Sequence, residues 1–238
     1  NWARIIAQIV YYFFSYFKIS KQNEIINFSV PTGNFGDIYA GYVAKKMGLP
    51  INKLVIATNN NDILKRVIKT GTYKPQKVKE TVSPSMDIQV ASNFERLIFD
   101  VFSKDSKSIL KLMNDLKENG EFKLDKKILK KINEHFLSDS LNENDTKTTI
   151  RKTYKDFKIL IDPHTAVAIG VKKKLALKGK TIILSTAHPS KFFKVVKKET
   201  GFKPELPKNL KYILKKKENY IKLPKDLKKI KSYILQKI

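Results

Sequence analysis

The segment that offers the clearest chemistry is 29–37 (SVPTGNFGD), a turn-rich stretch with two glycines three residues apart. A β-branched run precedes it and an amphipathic run follows it, which predicts a strand, a loop and the start of a helix. A loop in that position directs several backbone N–H groups to one point, and the helix dipole adds partial positive charge. The expected ligand is a phosphate group. Gly33 and Gly36 are needed because a side chain would block the anion or forbid the required backbone angles.

The spacing of these glycines does not by itself identify a ligand. Neither the three-glycine dinucleotide pattern nor the Gly-Lys-Ser/Thr ending of a nucleotide-binding P-loop occurs at 29–37, so a purely structural tight turn stays open. Cysteine is absent and the three histidines are scattered, so no metal site or thiol nucleophile is predicted. We expect a capping or packing role for His164, a structural role for His188 and a solvated position for His135.

The elements that must position this loop follow from the apolar pattern. Strands are predicted over 25–30 and 53–58, with a helix over 37–47 between them. This order defines a βαβ unit, which implies parallel pairing of the two strands. Further predictions are helices over 2–17, 61–70, 92–102, 162–176 and 189–198, and a strand over 181–185.

Two of these helices carry additional expectations. The helix over 2–17 is apolar nearly all round, which is typical of a helix buried within a larger body. Its apolar stretch is too short to span a bilayer. The helix over 92–102 begins with Ser92 followed three residues later by Glu95, which predicts a capping box.

The net charge of +26 is the most unusual feature of the composition. Such an excess suggests a polyanion, either nucleic acid or an anionic membrane. The favoured interpretation is a drift of the composition towards Lys, Asn and Ile that leaves the fold unchanged. Only four of the 48 basic residues are arginine (Arg4, Arg66, Arg96 and Arg151), which weakens the case for sequence-specific nucleic-acid binding. The Lys-rich tail, residues 191–238, has apolar residues at helical spacing. A helix pair packed on the body is therefore favoured over an independent binding arm.

The full residue sequence of the loop is more informative than the spacing of its glycines. The stretch 32–37 (TGNFGD) resembles the pyridoxal-phosphate (PLP) loop of threonine synthases, which belong to the fold-type-II PLP enzymes. Further blocks resemble the same family, are collinear with it and cover roughly residues 1–205: 1–5, 7–12, 40–50, 56–59, 61–64, 83–88, 92–97, 162–167 and 184–192. They look closest to the longer threonine synthases of the yeast and enterobacterial type.

The resemblance implies an α/β fold like that of the tryptophan synthase β-subunit, a parallel twisted sheet flanked by helices, partial here because the chain is truncated. The expected parts are a PLP phosphate-binding part over 1–102, a helical insert over 103–157, a return to the PLP domain over 158–205 and a Lys-rich helical extension over 206–238. The chain begins at Asn1 rather than methionine, and we expect a missing upstream segment.

The implied reaction converts O-phospho-L-homoserine and water into L-threonine and phosphate, with PLP as cofactor. A cytoplasmic monomer or homodimer is expected, without a specific nucleic-acid partner and without a membrane. The absence of cysteine fits a reducing compartment.

The resemblance also assigns site residues. The cofactor phosphate is expected on Gly33, Asn34, Phe35, Gly36 and Asp37. Thr186 matches the hydroxyl partner of the pyridine nitrogen, and Asn1 and Arg4 match the asparagine and arginine that bind the substrate phosphate. Without this match, Arg4 would be read as a salt-bridged surface residue.

One departure from the family concerns the catalytic lysine. No lysine of this chain matches the Schiff-base lysine, which the family carries upstream, so we expect the chain alone to be inactive and to expose core surface. Two alternatives stay open: an inactive relative that acts as a basic nucleic-acid- or membrane-binding module, and another fold-type-II enzyme that acts on a hydroxy- or phospho-amino acid.

Overall fold

The computed structural model describes residues 2–21 and 23–237, with the side chain of Leu214 excepted. They form two compact units that divide between Pro204 and Glu205. Asn1, one of the two expected substrate-binding residues, lies outside the described residues.

A four-stranded parallel sheet forms the centre of the first unit. In spatial order its strands are β5 (Phe136–Ser140), β2 (Ile51–Thr58), β1 (Ile26–Pro31) and β6 (Thr181–Ile183). All of β1 is buried, as expected for a parallel strand covered on both faces. The predictions of β1, β2 and β6 are confirmed to within two residues at each end.

Helices cover both faces of this sheet. Leu54 and Ile56 of β2 belong to one apolar cluster, whereas the alternate residues Val55 and Ala57 belong to another. Successive side chains of a strand point to opposite faces, so each face has its own core. The helices of the unit are α1 (Trp2–Ile19), α2 (Gly36–Lys46), α3 (Ile63–Thr70), α4 (Phe94–Val101), α5 (Ser106–Asn119), α6 (Lys126–His135), α7 (Glu143–Phe157), α8 (Pro163–Lys174) and α9 (Phe193–Thr200).

The segment 103–157 is not helical throughout, contrary to expectation. It contains α5, α6 and α7, but also β5, which pairs in parallel with β2 from Leu54 opposite Phe136 to Thr58 opposite Ser140. It also contains β4 (Phe122–Lys123), which forms a separate two-stranded antiparallel sheet with β3 (Thr72–Tyr73). The sequence reading missed β5 because the strand carries polar residues at positions that are buried in the fold.

The helix α1 differs from its prediction in burial. Ile5, Tyr12 and Tyr16 are buried, and α1 packs on α2. The expectation of a helix buried all round is therefore wrong for the described residues, because one face packs while the others stay open. Large apolar side chains exposed on α1 are Trp2, Ile6, Val10, Tyr11, Phe14, Phe17 and Ile19.

The capping prediction for α4 is also wrong. The helix begins at Phe94 with Asn93 as the N-cap residue, and no side chain caps it. By contrast, α8 begins with a strong cap, because the Asp162 carboxylate accepts hydrogen bonds from the backbone N–H groups of His164 and Thr165.

The second unit holds a 3₁₀-helix, Lys208–Lys215, and one α-helix, α10 (Leu227–Leu235). Among the described residues, the predicted helix pair consists of one 3₁₀-helix and one α-helix. Asp226 caps α10 by accepting from the N–H groups of Lys228 and Lys229. Among the described residues, no helix combines the length and apolar character that crossing a membrane requires.

Candidate functional site

The loop between β1 and α2 is held by a buried phenylalanine in an unusual conformation. Phe35 has φ 64° and ψ 9°, in the left-handed region, and its ring is buried. The ring packs edge-on against Phe94 at 5.3 Å and against Phe136 at 5.6 Å. A positive φ at a bulky residue is strained and persists only where the surroundings enforce it. Here the aromatic packing fixes the turn that leads into α2.

The backbone N–H groups at the start of α2 are available for a ligand. The first N–H groups of any α-helix lack an acceptor within the helix. Among the described residues, the hydrogen bonds donated by this segment begin with Tyr39, whose N–H reaches the Phe35 carbonyl at 3.2 Å. The N–H groups of 33–38 therefore form a donor cluster at the positive end of the helix dipole, which suits an anion.

The two glycines of the loop have different surroundings. A Cβ on Gly33 would lie 2.7 Å from the Ser85 carbonyl oxygen, and one on Gly36 would lie 3.4 Å from Asn93 Nδ2. Neither glycine has a positive φ, so the expectation that glycine is needed for forbidden backbone angles is wrong. Gly33 is required because the 3₁₀ turn Pro84–Met86 packs directly against it.

Two adjoining cavities bring the predicted residues together. The larger, about 710 Å³, is lined by the loop 31–38 together with Arg4 and Thr186. The smaller, about 580 Å³, shares Arg4, Asp37 and Thr186 with it. Arg4 and Thr186 are exposed to solvent at these walls. All the described residues that the sequence singled out for cofactor or substrate thus lie around one pair of connected spaces.

Asp37 is the single carboxylate among the described residues that line the cavities. The Tyr12 hydroxyl contacts both its backbone carbonyl at 2.9 Å and its Oδ1 at 3.2 Å. Burial raises the pKa of Asp37 to about 6, and the hydrogen bond from Tyr12 opposes that rise. Burial, with the charge of Asp37 adding to it, raises the pKa of Tyr12, which stays a neutral donor.

The Tyr12 ring lies close to the backbone of α2 at Gly41. A Cβ on Gly41 would lie 2.5 Å from the Tyr12 ring, so this glycine of α2 lets the tyrosine approach closely.

A buried polar chain, which the sequence reading missed as a unit, supports the wall opposite the loop. His164 Nδ1 lies 2.8 Å from Asp162 Oδ1, and His164 Nε2 accepts a hydrogen bond from the Ser85 N–H at 3.3 Å. This pattern requires the proton on Nδ1. Asp162 and His164 are both buried, so these hydrogen bonds hold the turn at Ser85 against Gly33. A packing role for His164 agrees with the expectation.

A second network ties down the long segment before this turn. One Asp87 oxygen, Oδ1, accepts from the side chains of Asn59 at 2.7 Å, Asn61 at 3.0 Å and Thr81 at 2.6 Å. Its other oxygen accepts the Thr81 N–H at 2.9 Å. An irregular segment is thereby fixed without helix or strand pairing.

The other histidines lie outside this chain of contacts. His188 is exposed and bonds Ser190 through Nδ1 at 2.7 Å. His135 lies at the end of α6, where burial lowers its pKa, and it is half-buried rather than solvated as expected. Among the described residues, no group of three or more potential ligand side chains is arranged to hold a metal ion.

The comparisons with known proteins agree with this architecture. The crystal structure of PLP-bound threonine synthase from Brucella melitensis superposes with a TM-score of 0.93 at 42% identity, over 99% of this chain and 51% of that one. The chain therefore has the fold of the fold-type-II PLP enzymes. Threonine synthases of Pseudomonas aeruginosa and Saccharomyces cerevisiae are 39% and 43% identical over 99% and 93% of this chain. A family model described as "Threonine synthase, C-terminal" matches residues 165–234. The chain belongs to the threonine synthase family.

The chain spans about half the length of the curated relatives it matches: 51% of the Pseudomonas protein and 49% of the yeast protein. The family model over 165–234 covers most of α8, all of β6 and α9, and most of the second unit. The Lys-rich tail is thus largely within the matched family region.

Proposed function

We propose that this chain provides the cofactor-phosphate and substrate-phosphate sites of a threonine synthase, which converts O-phospho-L-homoserine and water into L-threonine and phosphate. The observation that carries the proposal is the cluster of free N–H groups at the start of α2, beside a cavity that Arg4 also lines. The similarity to relatives named threonine synthase supports this reaction.

The residues present fit pyridoxal phosphate. The backbone N–H groups of Gly33, Asn34, Gly36 and Asp37 would hold its phosphate, and the close approach of Ser85 to Gly33 gives this cradle a firm back wall. The Thr186 hydroxyl would face the pyridine nitrogen, where a neutral partner leaves that nitrogen unprotonated. Bound in this position, the cofactor supplies the electron withdrawal that lets the substrate lose its phosphate.

Arg4 is the residue for the phosphate of the substrate. Its guanidinium lines both cavities and has no carboxylate partner among the described residues. A planar guanidinium can donate two parallel hydrogen bonds to phosphate oxygens, which favours a phosphorylated amino acid over the parent hydroxy-amino acid. The expected role of Asn1 in the same site stays a prediction.

Catalysis requires a lysine that bears the cofactor. Lys191 is the one lysine among the described residues that line the cavities, and it is exposed. A lysine suited to the reaction is desolvated and matched to its task. We propose that the catalytic lysine is supplied by residues other than those of this chain and that the chain alone has no threonine synthase activity.

Ligand binding tests the proposal without catalysis. The probe is 4′-deoxypyridoxine 5′-phosphate, which lacks the aldehyde and so cannot react with the many lysines. Calorimetry should give tighter binding for this compound than for 4′-deoxypyridoxine, and tighter binding for O-phospho-L-homoserine than for L-homoserine. Arg4→Gln should weaken the phosphohomoserine complex by roughly 10-fold, the loss of a charge-assisted contact. Equal affinity for the phosphorylated and unphosphorylated compounds would refute the proposal.

The basic-module alternative has a separate test. Binding that depends on general charge would show equal retention on DNA of any sequence, with an affinity that falls steeply with salt. No contact described above favours that function over the phosphate sites.

A further inference from the structure

Arg96 on α4 is a second guanidinium at the cavity that the sequence analysis did not assign. It is half-buried and lines the same 710 Å³ space as the loop 31–38 and Arg4. No carboxylate of the described residues lies within ion-pair distance of it. Asp100, four residues further along α4, accepts a hydrogen bond from the Tyr42 hydroxyl.

The orientation of Arg96 is fixed on two sides. Its Nε donates to Asn93 Oδ1 at 3.1 Å, and its guanidinium carbon lies 4.9 Å from the centre of the Trp2 ring. Asn93 is in turn tied to the loop, because its backbone N–H and its Nδ2 both donate to the Asn34 carbonyl, at 3.1 Å and 3.0 Å. These contacts use the stem and one face of the guanidinium, so its terminal nitrogens keep their donors for a ligand.

A partly desolvated guanidinium held this firmly, without a counter-charge, indicates an anion in the complex. Burial of an unpaired charge is costly, and an arranged fork offsets that cost only when an anion meets it. The other charged residues lining this cavity are Arg4, Lys191 and Asp37, so the net charge of the wall is positive. The loop N–H groups can satisfy one phosphate, and the excess cationic charge is left for another.

We propose that Arg96 binds the phosphate monoester of the substrate together with Arg4, and that the pair sets the preference for a phosphorylated amino acid. The contact between Arg96 and Trp2 places it against the same turn of α1 that carries Arg4. Two guanidinium groups on one dianion would also disfavour the unphosphorylated analogue, which would leave both cations unpaired. This inference rests on the proposed function of the site.

The test compares four single variants by calorimetry with O-phospho-L-homoserine, L-homoserine and 4′-deoxypyridoxine 5′-phosphate. Arg96→Gln should weaken phosphohomoserine binding by roughly 10-fold and leave the deoxypyridoxine phosphate affinity within about 2-fold. Arg96→Lys keeps the charge without the fork and should lose less. Arg4→Gln provides the reference loss. Lys152→Gln removes one positive charge from an exposed position on α7 outside both cavities and should change neither affinity more than about 2-fold.

Several results would overturn the inference. An Arg96→Gln protein that binds phosphohomoserine as tightly as the parent removes Arg96 from the site, and an equal loss in Lys152→Gln reduces the effect to the general field. A larger loss of deoxypyridoxine phosphate would assign Arg96 to the cofactor instead. If Arg96→Gln does not fold, an unchanged affinity in Arg96→Lys is the contradicting result. A parent protein that does not distinguish phosphohomoserine from homoserine refutes the proposed function itself. If the parent does distinguish them and Arg4→Gln shows the expected loss, an Arg96→Gln protein with unchanged affinity refutes this inference alone.

Discussion

At the scale of single residues, Asp37 is the unusual member of the site, since a carboxylate lies where an anion is expected. Its pKa of about 6 means that the folded protein holds a proton more tightly there than the unfolded chain, whose ordinary value is 3.8. The resulting stability is fully present below about pH 4 and is lost as the pH rises through 6. Near neutral pH the ionised, half-buried carboxylate costs stability.

Replacing Asp37 with Asn should therefore stabilise the fold at high pH. The free energy of unfolding of Asp37→Asn, relative to the parent, should rise between pH 4 and pH 8 by up to about 2–3 kcal/mol. Urea unfolding at several pH values measures it. Tyr12→Phe is the paired variant: it removes the hydrogen bond that lowers the Asp37 pKa, so its pH transition should move to higher pH. A pH-independent difference for Asp37→Asn would contradict the assignment.

A glycine substitution tests the back wall of the cradle. Gly33→Ala places a methyl group 2.7 Å from the Ser85 carbonyl, so the turn must shift. We expect a loss of about 1–3 kcal/mol in unfolding free energy and a weaker complex with 4′-deoxypyridoxine 5′-phosphate. Gly36→Ala meets its nearest neighbour at 3.4 Å and should cost less in thermal or urea unfolding. Equal losses in the two variants would show that the turn does not brace the loop.

At the scale of elements, the irregular segment between β3 and α4 is held by side chains. Asp87 satisfies donors of Asn59, Asn61 and Thr81, of which the two asparagines are buried. The conformation of this segment therefore depends on the hydrogen bonds that one carboxylate, Asp87, accepts.

Asp87→Ala should loosen this segment selectively. It leaves several buried donors unsatisfied, which costs about 1–3 kcal/mol for each group that water does not reach. Hydrogen exchange followed by mass spectrometry should show faster exchange over 74–91 and little change in the sheet strands. Asp87→Asn, which keeps the shape of the side chain and one acceptor oxygen, is the matched control. Its exchange rate over 74–91 should lie between those of the parent and of Asp87→Ala. Uniform acceleration across the chain would indicate global destabilisation instead.

The elements also show what the sequence can predict. The strands β1, β2 and β6 follow from β-branched runs, and the position of the loop between β1 and α2 follows from its turn residues. The strand β5 was missed because Ser138 and Asp139 are polar but buried. Arg96 was not assigned a role, and the hydrogen bond that His164 accepts from Ser85 was not predicted. Both features depend on partners distant in sequence, Trp2 for Arg96 and Ser85 for His164, and no local pattern encodes such contacts.

At the scale of the whole molecule, the exposed apolar side of α1 is the main departure from an ordinary surface. Phe14 and Phe17 are 65% and 72% exposed, and they lie among other exposed apolar residues of the same helix. Large contiguous apolar patches on a soluble protein promote association.

Polar substitution of these two residues should suppress self-association. The double variant Phe14→Gln/Phe17→Gln should bind less hydrophobic dye and sediment at lower apparent mass than the parent, with an unfolding free energy within about 0.5 kcal/mol because neither side chain is buried. A matched substitution of the exposed Phe157 on α7 should have little effect on association. Unchanged dye binding in the double variant would mean that the α1 surface is not responsible.

The proposed phosphate site consists of the N–H groups at the start of α2. The most direct measurement follows the backbone amide signals of the isotope-labelled chain by NMR during titration with 4′-deoxypyridoxine 5′-phosphate. We expect large downfield shifts of the amide protons of Gly33, Asn34, Gly36 and Asp37, which saturate together and are absent with 4′-deoxypyridoxine. If these amides stay in place while lysine-rich surface segments shift, the phosphate binds elsewhere and the claim is wrong.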